Sequence, residues 1–493
     1  MRIIIVGGGI AGLSAAYYAS KRLPDAQITL LESSDRWGGK ITTDRVAFDD
    51  GQFIIEGGPD TFLATKPWGV ALCKELGLGD RLHGTNPHKK NTYVLNRNRL
   101  LPLPDGLAMM IPTNVEAILK TRLVSWFSKA RMGLDFLLPA KAVNGDESLG
   151  SFVSRRLGRE AYENLIEPLM SGIYAGDGDL LSLASTFPYL RDLEIKYGSL
   201  ARGALEMRKK SMGMQNPQTL HRRQESSDSV PGSRSAFLTP TTGLAEIVEK
   251  LVEYLTTNGA TLCLNTRATS VQRLTPDTWN LTLDTGETLT ADSVIIAAPA
   301  FAAAQMLASL DPSLASDLQN IPYASTATVS LAYRQSDLPR DLDGYGYVIP
   351  RREGRRALAC TWTSTKFPHR APEGYALIRV FVGRAGQELP SPSGRGAGGE
   401  GELLELAKEE LHLTLGITAE PLLSRVFLWD KAMPQYNLGH PEILKRIDAA
   451  LEKYPGLALA GNGYRGIGIP DCIHSGEAAV EKILSLRAER SAA

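Results

Sequence analysis

The amino-acid sequence predicts an α/β fold, and three features near its start support this prediction. Residues 3–6, Ile-Ile-Ile-Val, form an apolar run that indicates a buried strand. The run leads into Gly-Gly-Gly-Ile-Ala-Gly at residues 7–12, where a helix is expected to begin. A second apolar run at residues 27–31 ends at Glu32, twenty residues after the last of these glycines. Strand, glycine turn, helix and acidic residue in this order are typical of a Rossmann-like sheet.

The glycine pattern predicts a site for a dinucleotide cofactor. Gly7 permits the tight turn out of the strand, Gly9 lets a pyrophosphate approach the backbone, and Gly12 lets the helix pack closely on the sheet. The carboxylate of Glu32 can accept hydrogen bonds from a ribose whose hydroxyl groups are free. The expected contacts in this part of the chain are Gly7, Gly8, Gly9, Ile10, Ala11, Gly12, Glu32 and Ser33.

Two later segments narrow the cofactor to a flavin. Gly38 and Gly39 lie six and seven residues after Glu32, a spacing typical of FAD enzymes of the glutathione-reductase and amine-oxidase type and absent from simple NAD dehydrogenases. Near the other end of the chain, Gly-Ile-Gly at residues 466–468 precedes a predicted helix, whose first N–H groups would polarise the flavin pyrimidine. The expected FAD contacts here are Gly39, Lys40, Gly468, Ile469 and Pro470.

Length and composition indicate a globular enzyme of two or three domains. The chain has 493 residues, of which 43% are hydrophobic and 22% charged. Its 54 basic and 54 acidic residues balance, so the sequence gives no indication of a nucleic-acid partner. Its four cysteines form no Cys-x-x-Cys pair, so we expect reduced thiols and no metal site. No leader or spanning segment is apparent, which predicts a cytoplasmic protein, at most peripheral to a membrane.

The order of these patterns predicts a discontinuous cofactor domain. We assign residues 1–90, 240–299 and 425–493 to a GR2-type FAD-binding, Rossmann-like domain. Residues 91–209 are predicted to form a mainly helical domain, which is an apolar core, a substrate entrance or a membrane-facing surface. Residues 300–424 are predicted to form a mixed-sheet, substrate-binding domain. The polar stretches 215–235 and 388–400 are predicted to be flexible loops.

Four motifs identify a family that the chain resembles over nearly its whole length. They are Gly-Gly-Pro-Asp-Thr-Phe at 57–62, Glu-Pro-Leu-Met-Ser-Gly-Ile-Tyr-Ala-Gly-Asp at 167–177, Trp-Asp-Lys-Ala-Met-Pro-Gln-Tyr at 429–436 and Gly-Ile-Gly-Ile-Pro-Asp-Cys at 466–472. With these motifs the chain resembles the porphyrinogen oxidases, specifically their soluble bacterial branch. The second motif is the most telling, since general flavin amine oxidases lack it.

The resemblance implies an FAD-dependent oxidation of coproporphyrinogen III, in which three molecules of O2 become three of H2O2. Protoporphyrinogen IX is the alternative substrate. Relatives specific for protoporphyrinogen carry an arginine that binds a propionate, and this chain has Thr92 at the matching position. That departure favours coproporphyrinogen III, which has four propionates instead of two.

The resemblance also assigns site residues, and it requires no catalytic acid or base because a meso carbon would give its hydride directly to flavin N5. The implied substrate contacts are Gly172, Tyr174, Val348, Thr361, Phe381 and, for a carboxylate, Lys66. The implied cofactor contacts are Gly57, Gly58, Pro59, Asp60, Ala268 and Trp429.

Two other functions stay open from the sequence. One is a flavin amine oxidase or carotenoid desaturase, which would share the glycine patterns. The other is a non-catalytic binding protein on the same scaffold. A ferrochelatase or a membrane surface is a further expected partner, with the porphyrinogen and O2 as substrates.

Overall fold

The structure is a computed structural model that describes residues 1–108, 110–141, 145–213, 235–387, 389 and 398–492. Residues 215–234 of the first predicted loop, and 388 and 390–397 of the second, lie outside this part of the chain. No helix among the described residues is both long and apolar enough to cross a membrane.

A five-stranded parallel sheet draws its strands from three separate parts of the chain. The strands are β1 (Arg2–Val6), β2 (Gln27–Leu31), β12 (Thr261–Cys263), β16 (Ser293–Ile296) and β22 (Leu457–Leu459). They lie in the order β12-β2-β1-β16-β22. Every neighbouring pair is parallel, and the apolar strand residues are buried because both faces of the sheet are covered.

Helices cover one face of this sheet, and helices with a small antiparallel meander cover the other. The first layer contains α1 (Ile10–Arg22), α2 (Pro67–Glu75), α11 (Ala245–Thr257) and α17 (Ile469–Ala492). The second contains α12 (Ala300–Leu307), α13 (Pro312–Gln319), α16 (His440–Leu451) and the meander of β13 (Ala268–Thr275), β14 (Thr278–Leu283) and β15 (Thr288–Ala291).

A seven-stranded sheet forms the second large layer. Its strands are β7 (Asn91–Asn96), β8 (Arg99–Pro102), β17 (Tyr323–Arg334), β18 (Gly344–Val348), β19 (Ala357–Trp362), β20 (Tyr375–Val382) and β21 (Leu423–Pro434). Their order is β21-β17-β20-β19-β18-β7-β8, and only the β18–β7 pair is parallel. One face of this sheet packs on α15 (Gly398–Leu415) through an apolar core. A short helix, α14 (Thr363–Lys366), follows β19.

Short strands connect the two layers. β3 (Thr43–Phe48) and β4 (Gly51–Glu56) form a hairpin, and β5 (Phe62–Leu63), β11 (Phe237–Pro240) and β6 (Leu82–Gly84) form a three-stranded sheet. β9 (Leu107–Ala108) pairs with β10 (Ile111–Pro112). The second strand of the hairpin, β4, ends directly before Gly57 and Gly58.

The helical block begins later than the sequence indicated. Residues 91–102, predicted to be part of the helical domain, form β7 and β8 at the edge of the seven-stranded sheet. The apolar, β-branched run Thr-Tyr-Val-Leu at 92–95 favours a strand and explains the difference. The same sheet also extends past the predicted boundary at residue 425, because β21 runs to Pro434 and pairs with β17.

The helices that follow pack around one apolar core. They are α3 (Val115–Lys120), α4 (Trp126–Gly133), α5 (Leu149–Leu157), α6 (Arg159–Ala161), α7 (Glu167–Tyr174), α8 (Leu183–Thr186), α9 (Pro188–Tyr197) and α10 (Leu200–Gly213), with one π-helical turn at Tyr162–Ile166. Several apolar side chains of α4 and of the turn after it point outward: Trp126, Phe127 and Leu137 are 72%, 83% and 79% exposed.

Candidate active site

The glycine turn after β1 leaves no room for a side chain at two of its positions. Gly7 has a φ of +110°, in the region that favours glycine, and a Cβ there would lie 2.7 Å from the carbonyl oxygen of Ala297. A Cβ on Gly12 would overlap the carbonyl oxygen of Gly7. In contrast, a Cβ on Gly9 would meet nothing closer than Gly39, at 4.0 Å. The turn is therefore closely packed at Gly7 and Gly12 and has open space beside Gly9. Such space is needed for a diphosphate to approach the backbone.

Glu32 lies beside this turn and is held in place by backbone N–H groups. Its Oε2 accepts a hydrogen bond from the N–H of Gly8 at 2.7 Å, and its Oε1 accepts one from the N–H of Ser34 at 2.8 Å. The hydroxyl of Ser33 also reaches Oε1, at 3.3 Å. A carboxylate can accept further hydrogen bonds, so Glu32 remains able to bind the ribose of a dinucleotide.

The expected adenine contact lies close to the same end of the sheet. Ala268 begins β13 and packs in the core that contains Val6 and Leu31, the last residues of β1 and β2. The N–H of Thr266 donates to the carbonyl oxygen of Glu32 at 2.8 Å and ties this segment to the acidic residue. The structure thus brings Ala268 and Glu32 together at the carboxyl ends of parallel strands.

Gly39 joins the glycine turn, and Lys40 follows it. Gly38 forms a bridge with Gly9, and a Cβ on Gly39 would lie 3.1 Å from the Cα of Gly9. Burial lowers the pKa of Lys40 to about 8, with only the thiol of Cys472 acting against it. An anionic cofactor beside Lys40 would raise this pKa again by stabilising the charged amine.

Gly57 and Gly58 form the contact between the two large layers. The indole Nε1 of Trp429 donates to the carbonyl oxygen of Gly57 at 2.9 Å, and the hydroxyl of Thr328 donates to the same oxygen at 2.8 Å. A Cβ on Gly58 would overlap the carbonyl oxygen of Lys40. The glycine pair therefore lies between Lys40 and the seven-stranded sheet, with Pro59 and Asp60 directly after it.

Asp60 forms an ion pair within this region. Its Oδ2 lies 2.9 Å from Nζ of Lys366 in α14. Burial acts to raise the pKa of Asp60, but the positive charges of Lys366, Arg379 and Arg370 outweigh it and lower the pKa to about 2. Asp60 is therefore ionised at every pH at which the protein would be assayed.

Gly468, Ile469 and Pro470 lead into the first turn of α17. Asp471 accepts a hydrogen bond from the N–H of Gly468 at 3.2 Å, and both its carboxylate oxygens lie 2.6 Å from Nζ of Lys66. Lys66, expected to hold a substrate carboxylate, is thus paired with an acidic residue beside the predicted flavin contacts. The pair ties the start of α17 to Lys66, and a helix N-terminus of this kind can donate hydrogen bonds to a ligand.

Three expected substrate residues share one face of the seven-stranded sheet. Val348 in β18 pairs with Ala359, which in turn pairs with Phe381 in β20. Thr361 lies two residues from Ala359 along β19 and has the same orientation. Directly paired residues point to the same side of a sheet, so this face carries Val348, Thr361 and Phe381 together.

The same face reaches the predicted cofactor contacts. Phe381 pairs across β20 and β17 with Thr328, whose hydroxyl binds Gly57, and Trp429 in β21 pairs with Thr326 on the same side. The opposite face packs on α15 and is filled with apolar side chains. The sheet therefore presents the predicted substrate and flavin contacts side by side.

Gly172 and Tyr174 approach this face from the helical block. Tyr174 ends α7, is 6% exposed and packs in the core that also touches Val348 and Ile467. Burial raises its pKa. A Cβ on Gly172 would meet no atom within 4 Å, so open space lies in front of this glycine.

Three cations near Asp60, two of them buried, were not predicted from the sequence. Arg379 and Arg370 are 2% and 1% exposed, and Arg370 lies 2.7 Å from Oε1 of Glu56. Lys366 pairs with Asp60. One signal was present for Arg379: it is the only charged residue in the strand sequence Tyr-Ala-Leu-Ile-Arg-Val-Phe-Val, and charged residues are seldom buried unless they are paired.

Comparison with known proteins gives a consistent result. The family model for flavin containing amine oxidoreductases matches residues 10–484. Coproporphyrinogen III oxidase of Bacillus subtilis (strain 168) is 40% identical over 490 residues, which cover 98% of each chain. Coproporphyrinogen III oxidase of Staphylococcus aureus is 33% identical and covers 98% of this chain and 99% of its own.

Solved structures agree with these relatives. A protein from Exiguobacterium sp. 255-15 that is assigned as a protoporphyrinogen oxidase superposes with a TM-score of 0.81, at 33% identity and 99% coverage of both chains. Cyclohexylamine oxidase from Brevibacterium oxydans IH-35A superposes with a TM-score of 0.65 at 16% identity, over 99% of both chains. This second likeness concerns the fold alone.

Proposed function

The chain belongs to the flavin containing amine oxidoreductases and, among them, to the coproporphyrinogen III and protoporphyrinogen oxidases, and on this basis we propose that it oxidises coproporphyrinogen III to coproporphyrin III. The observation that carries the proposal is the 40% identity with the Bacillus subtilis enzyme over 98% of each chain. The cofactor is FAD. The product is a porphyrin, as synthesis of haem requires.

The described residues fit FAD. The open space over Gly9, the carboxylate of Glu32 and the N–H groups at the start of α17 suit a diphosphate, a ribose and a flavin pyrimidine in turn. Gly57, Gly58 and Trp429 would lie along the ring system. When bound, FAD supplies the acceptor for two electrons and a proton, taken as hydride, and returns them to O2.

The protein's part in the reaction is to place a meso carbon and to exclude water. Val348, Thr361 and Phe381 offer a flat, mainly apolar face to a macrocycle, beside the predicted flavin contacts. Loss of a hydride from a meso carbon leaves a cation shared by two pyrrole rings, so no strong base is needed. The cation then releases one proton to solvent, so each step removes two electrons and two hydrogens. Three such steps remove six electrons and six hydrogens, and three O2 become three H2O2.

Aerobic turnover of coproporphyrinogen III and protoporphyrinogen IX by the FAD-loaded protein tests the proposal. Porphyrin fluorescence and H2O2 are followed together, and we expect three H2O2 per porphyrin and a higher kcat/KM for coproporphyrinogen III. A higher kcat/KM for protoporphyrinogen IX would instead favour the second candidate substrate, which Bos taurus protoporphyrinogen oxidase, 30% identical, also supports. Turnover of neither, with an amine or a carotenoid oxidised, would contradict the proposal.

We also propose that this protein works in the cytoplasm at a membrane surface. The support is the exposed apolar surface formed by Trp126, Phe127 and Leu137, which is flanked by basic residues. The ammonium of Lys129 lies 4.2 Å from the ring centroid of Trp126, and Lys120 and Lys141 are exposed nearby in the sequence. Aromatic and leucine side chains with lysines beside them are typical of surfaces that rest on anionic lipid. Contact with a ferrochelatase stays a prediction from the sequence and is an alternative use of this surface.

A further inference from the structure

One buried cation on the substrate side of the seven-stranded sheet lacks a full set of partners. Arg379 is 2% exposed, and its Nη2 donates to the carbonyl oxygens of Gly57 and Gly58. Its Nε and Nη1 have no hydrogen-bond partner within the described residues. A buried charged donor that lacks an acceptor is costly, so these N–H groups indicate that a ligand supplies the acceptor.

Arg379 lies among the expected substrate contacts. It pairs directly with Thr361 across β19 and β20, so both side chains are on the same face of the sheet. Its guanidinium carbon lies 4.6 Å from the ring centroid of Phe381, two residues further along the strand. Only its Nη2 has acceptors among the described residues, in the glycine pair, whereas Nε and Nη1 are buried without one.

The charges around Arg379 do not balance. Three cations, Arg379, Arg370 and Lys366, surround two carboxylates, Glu56 and Asp60. Arg370 pairs with Glu56 at 2.7 Å, and Lys366 pairs with Asp60 at 2.9 Å. Burial lowers the pKa of Arg379 to about 10, which leaves the guanidinium protonated at neutral pH. One buried positive charge is therefore left without a carboxylate partner among the described residues.

We propose that Arg379 binds a carboxylate of the porphyrinogen substrate and thereby favours a macrocycle with four propionates over one with two. This inference deepens the proposed function and rests on it. Coproporphyrinogen III carries propionates at two positions where protoporphyrinogen IX carries vinyl groups. A vinyl group beside Arg379 would leave the buried cation unpaired, and a site built for a polar group discriminates strongly against an analogue that lacks it.

Binding of the product porphyrins to the oxidised, FAD-loaded protein tests this directly. Coproporphyrin III and protoporphyrin IX are titrated into wild type, Arg379→Gln and Arg379→Lys, and the dissociation constants are read from porphyrin fluorescence. Arg379→Gln removes the charge but keeps a polar amide side chain. We expect it to weaken coproporphyrin III binding at least about tenfold and protoporphyrin IX binding less than about threefold, because a hydrogen bond to a charged group is worth about 1.5–3 kcal/mol.

Two controls separate the carboxylate from other roles. Arg379→Lys keeps the charge, and we expect it to lose less of the preference for coproporphyrin III than Arg379→Gln does. Arg370→Lys changes the neighbouring arginine, already paired with Glu56, and should leave the ratio of the two dissociation constants unchanged. FAD content and the flavin absorption spectrum are recorded for each variant, because a contact with the flavin instead of the substrate would change them. If Arg379→Gln gives no folded holoenzyme, the ratio of the two dissociation constants is compared between Arg379→Met and Arg379→Lys instead.

The outcomes are distinct. Equal weakening of both porphyrins, or an altered flavin spectrum with the ratio retained, would overturn the assignment of Arg379 to a discriminating carboxylate while the proposed function stands. Failure of the wild type to oxidise either porphyrinogen would overturn the proposed function itself. A selective loss for coproporphyrin III, matched by a fall in kcat/KM for coproporphyrinogen III alone, supports the inference.

Discussion

Nζ of Lys66 lies 2.6 Å from both carboxylate oxygens of Asp471, and this ion pair joins the residue before α2 to the first turn of α17. Side-chain exposure is 38% for Lys66 and 12% for Asp471, so the pair is only partly screened by solvent. From this position we predict that Lys66 supports the predicted cofactor site; the direct contact with substrate that the sequence suggested is the alternative.

Replacement of Lys66 by methionine is therefore expected to weaken FAD binding. The dissociation constant of FAD, measured from flavin fluorescence, should rise about fivefold, which corresponds to the loss of about 1 kcal/mol for a partly exposed ion pair. The KM for porphyrinogen should change less than about twofold. Asp471→Asn is the matched variant, and the double variant should be no weaker than the single ones. A raised KM with unchanged FAD binding would favour the direct substrate contact.

Gly172→Ala should separate stability from substrate binding. A Cβ at this helical position meets no atom of the protein within 4 Å, and alanine is favoured over glycine in a helix by about 0.5–1 kcal/mol. We expect an unfolding midpoint in denaturant at or above that of wild type, with the KM for porphyrinogen raised at least about threefold. Gly133→Ala in α4 also places its Cβ in open space and should leave KM unchanged. A normal KM for Gly172→Ala would remove Gly172 from the substrate contacts.

Trp429→Phe removes the hydrogen bond to the carbonyl oxygen of Gly57. We expect FAD binding to weaken about threefold to tenfold, because the glycine pair loses one of the donors that hold it. Trp362→Phe is the matched control: this indole is 0% exposed, and its Nε1 has no hydrogen-bond partner among the described residues. That variant should lower the free energy of unfolding by creating a cavity, yet leave FAD affinity unchanged. Similar FAD affinities in the two variants would contradict the role given to Trp429.

His369 should make the protein sensitive to mild acid. Burial, the charge of Arg370 and the ring of His83 lower the pKa of His369 to about 4. The unfolded chain therefore binds a proton first, and the contribution of His369 to stability is present above its ordinary pKa near 6.5 and declines as the pH falls toward 4. Unfolding midpoints in denaturant between pH 7 and 4 should fall less steeply for His369→Phe. The exposed His412→Phe variant should retain the slope of wild type; identical slopes for all three proteins would refute the prediction.

The exposed surface of Trp126 and Phe127 should determine lipid binding. Changing both to serine is expected to reduce partition into vesicles of anionic phospholipid at least about tenfold, since burial of each side chain contributes about 1.5–3 kcal/mol. Sedimentation of the FAD-loaded protein with the vesicles measures this. Leu274→Ser, which changes an apolar residue 56% exposed in the meander, should bind as wild type does. Unchanged partition of the double variant would exclude this surface as the lipid contact.

The glycine turn after β1 and the position of Glu32 could be predicted from the sequence because they lie in a short, local pattern. Gly7, Gly12 and Glu32 lie at a turn, a helix contact and a strand end of one βαβ unit, and their spacing alone marks them in the sequence. The seven-stranded sheet was harder to predict from the sequence. It combines β7 and β8 with strands more than two hundred residues later in the chain. No pattern within residues 91–102 predicts that β7 pairs with a strand so distant in sequence.

The buried charges could not have been placed from the sequence for a similar reason. Arg379 and Lys366 look like ordinary basic residues until the register of β20 and the position of α14 bring them to Asp60. Likewise, the sequence around Lys66 does not predict its ion pair with Asp471, which lies about four hundred residues later in the chain. Pairings of this length depend on the tertiary fold, whereas the glycine turn at residues 7–12 is marked by a short sequence pattern.

The sheet that holds the cofactor has a consequence for the order of events during synthesis. β1 is made first, its neighbour β16 only after more than half of the chain, and β22 near the end. The N–H groups of α17 follow still later. The cofactor sheet is therefore incomplete until late in synthesis, and a growing chain cannot bind its flavin as each domain emerges. Most strands of the seven-stranded sheet are made while one edge of the cofactor sheet is still unpaired. Binding of the flavin then requires a chain that has been synthesised through the first turn of α17.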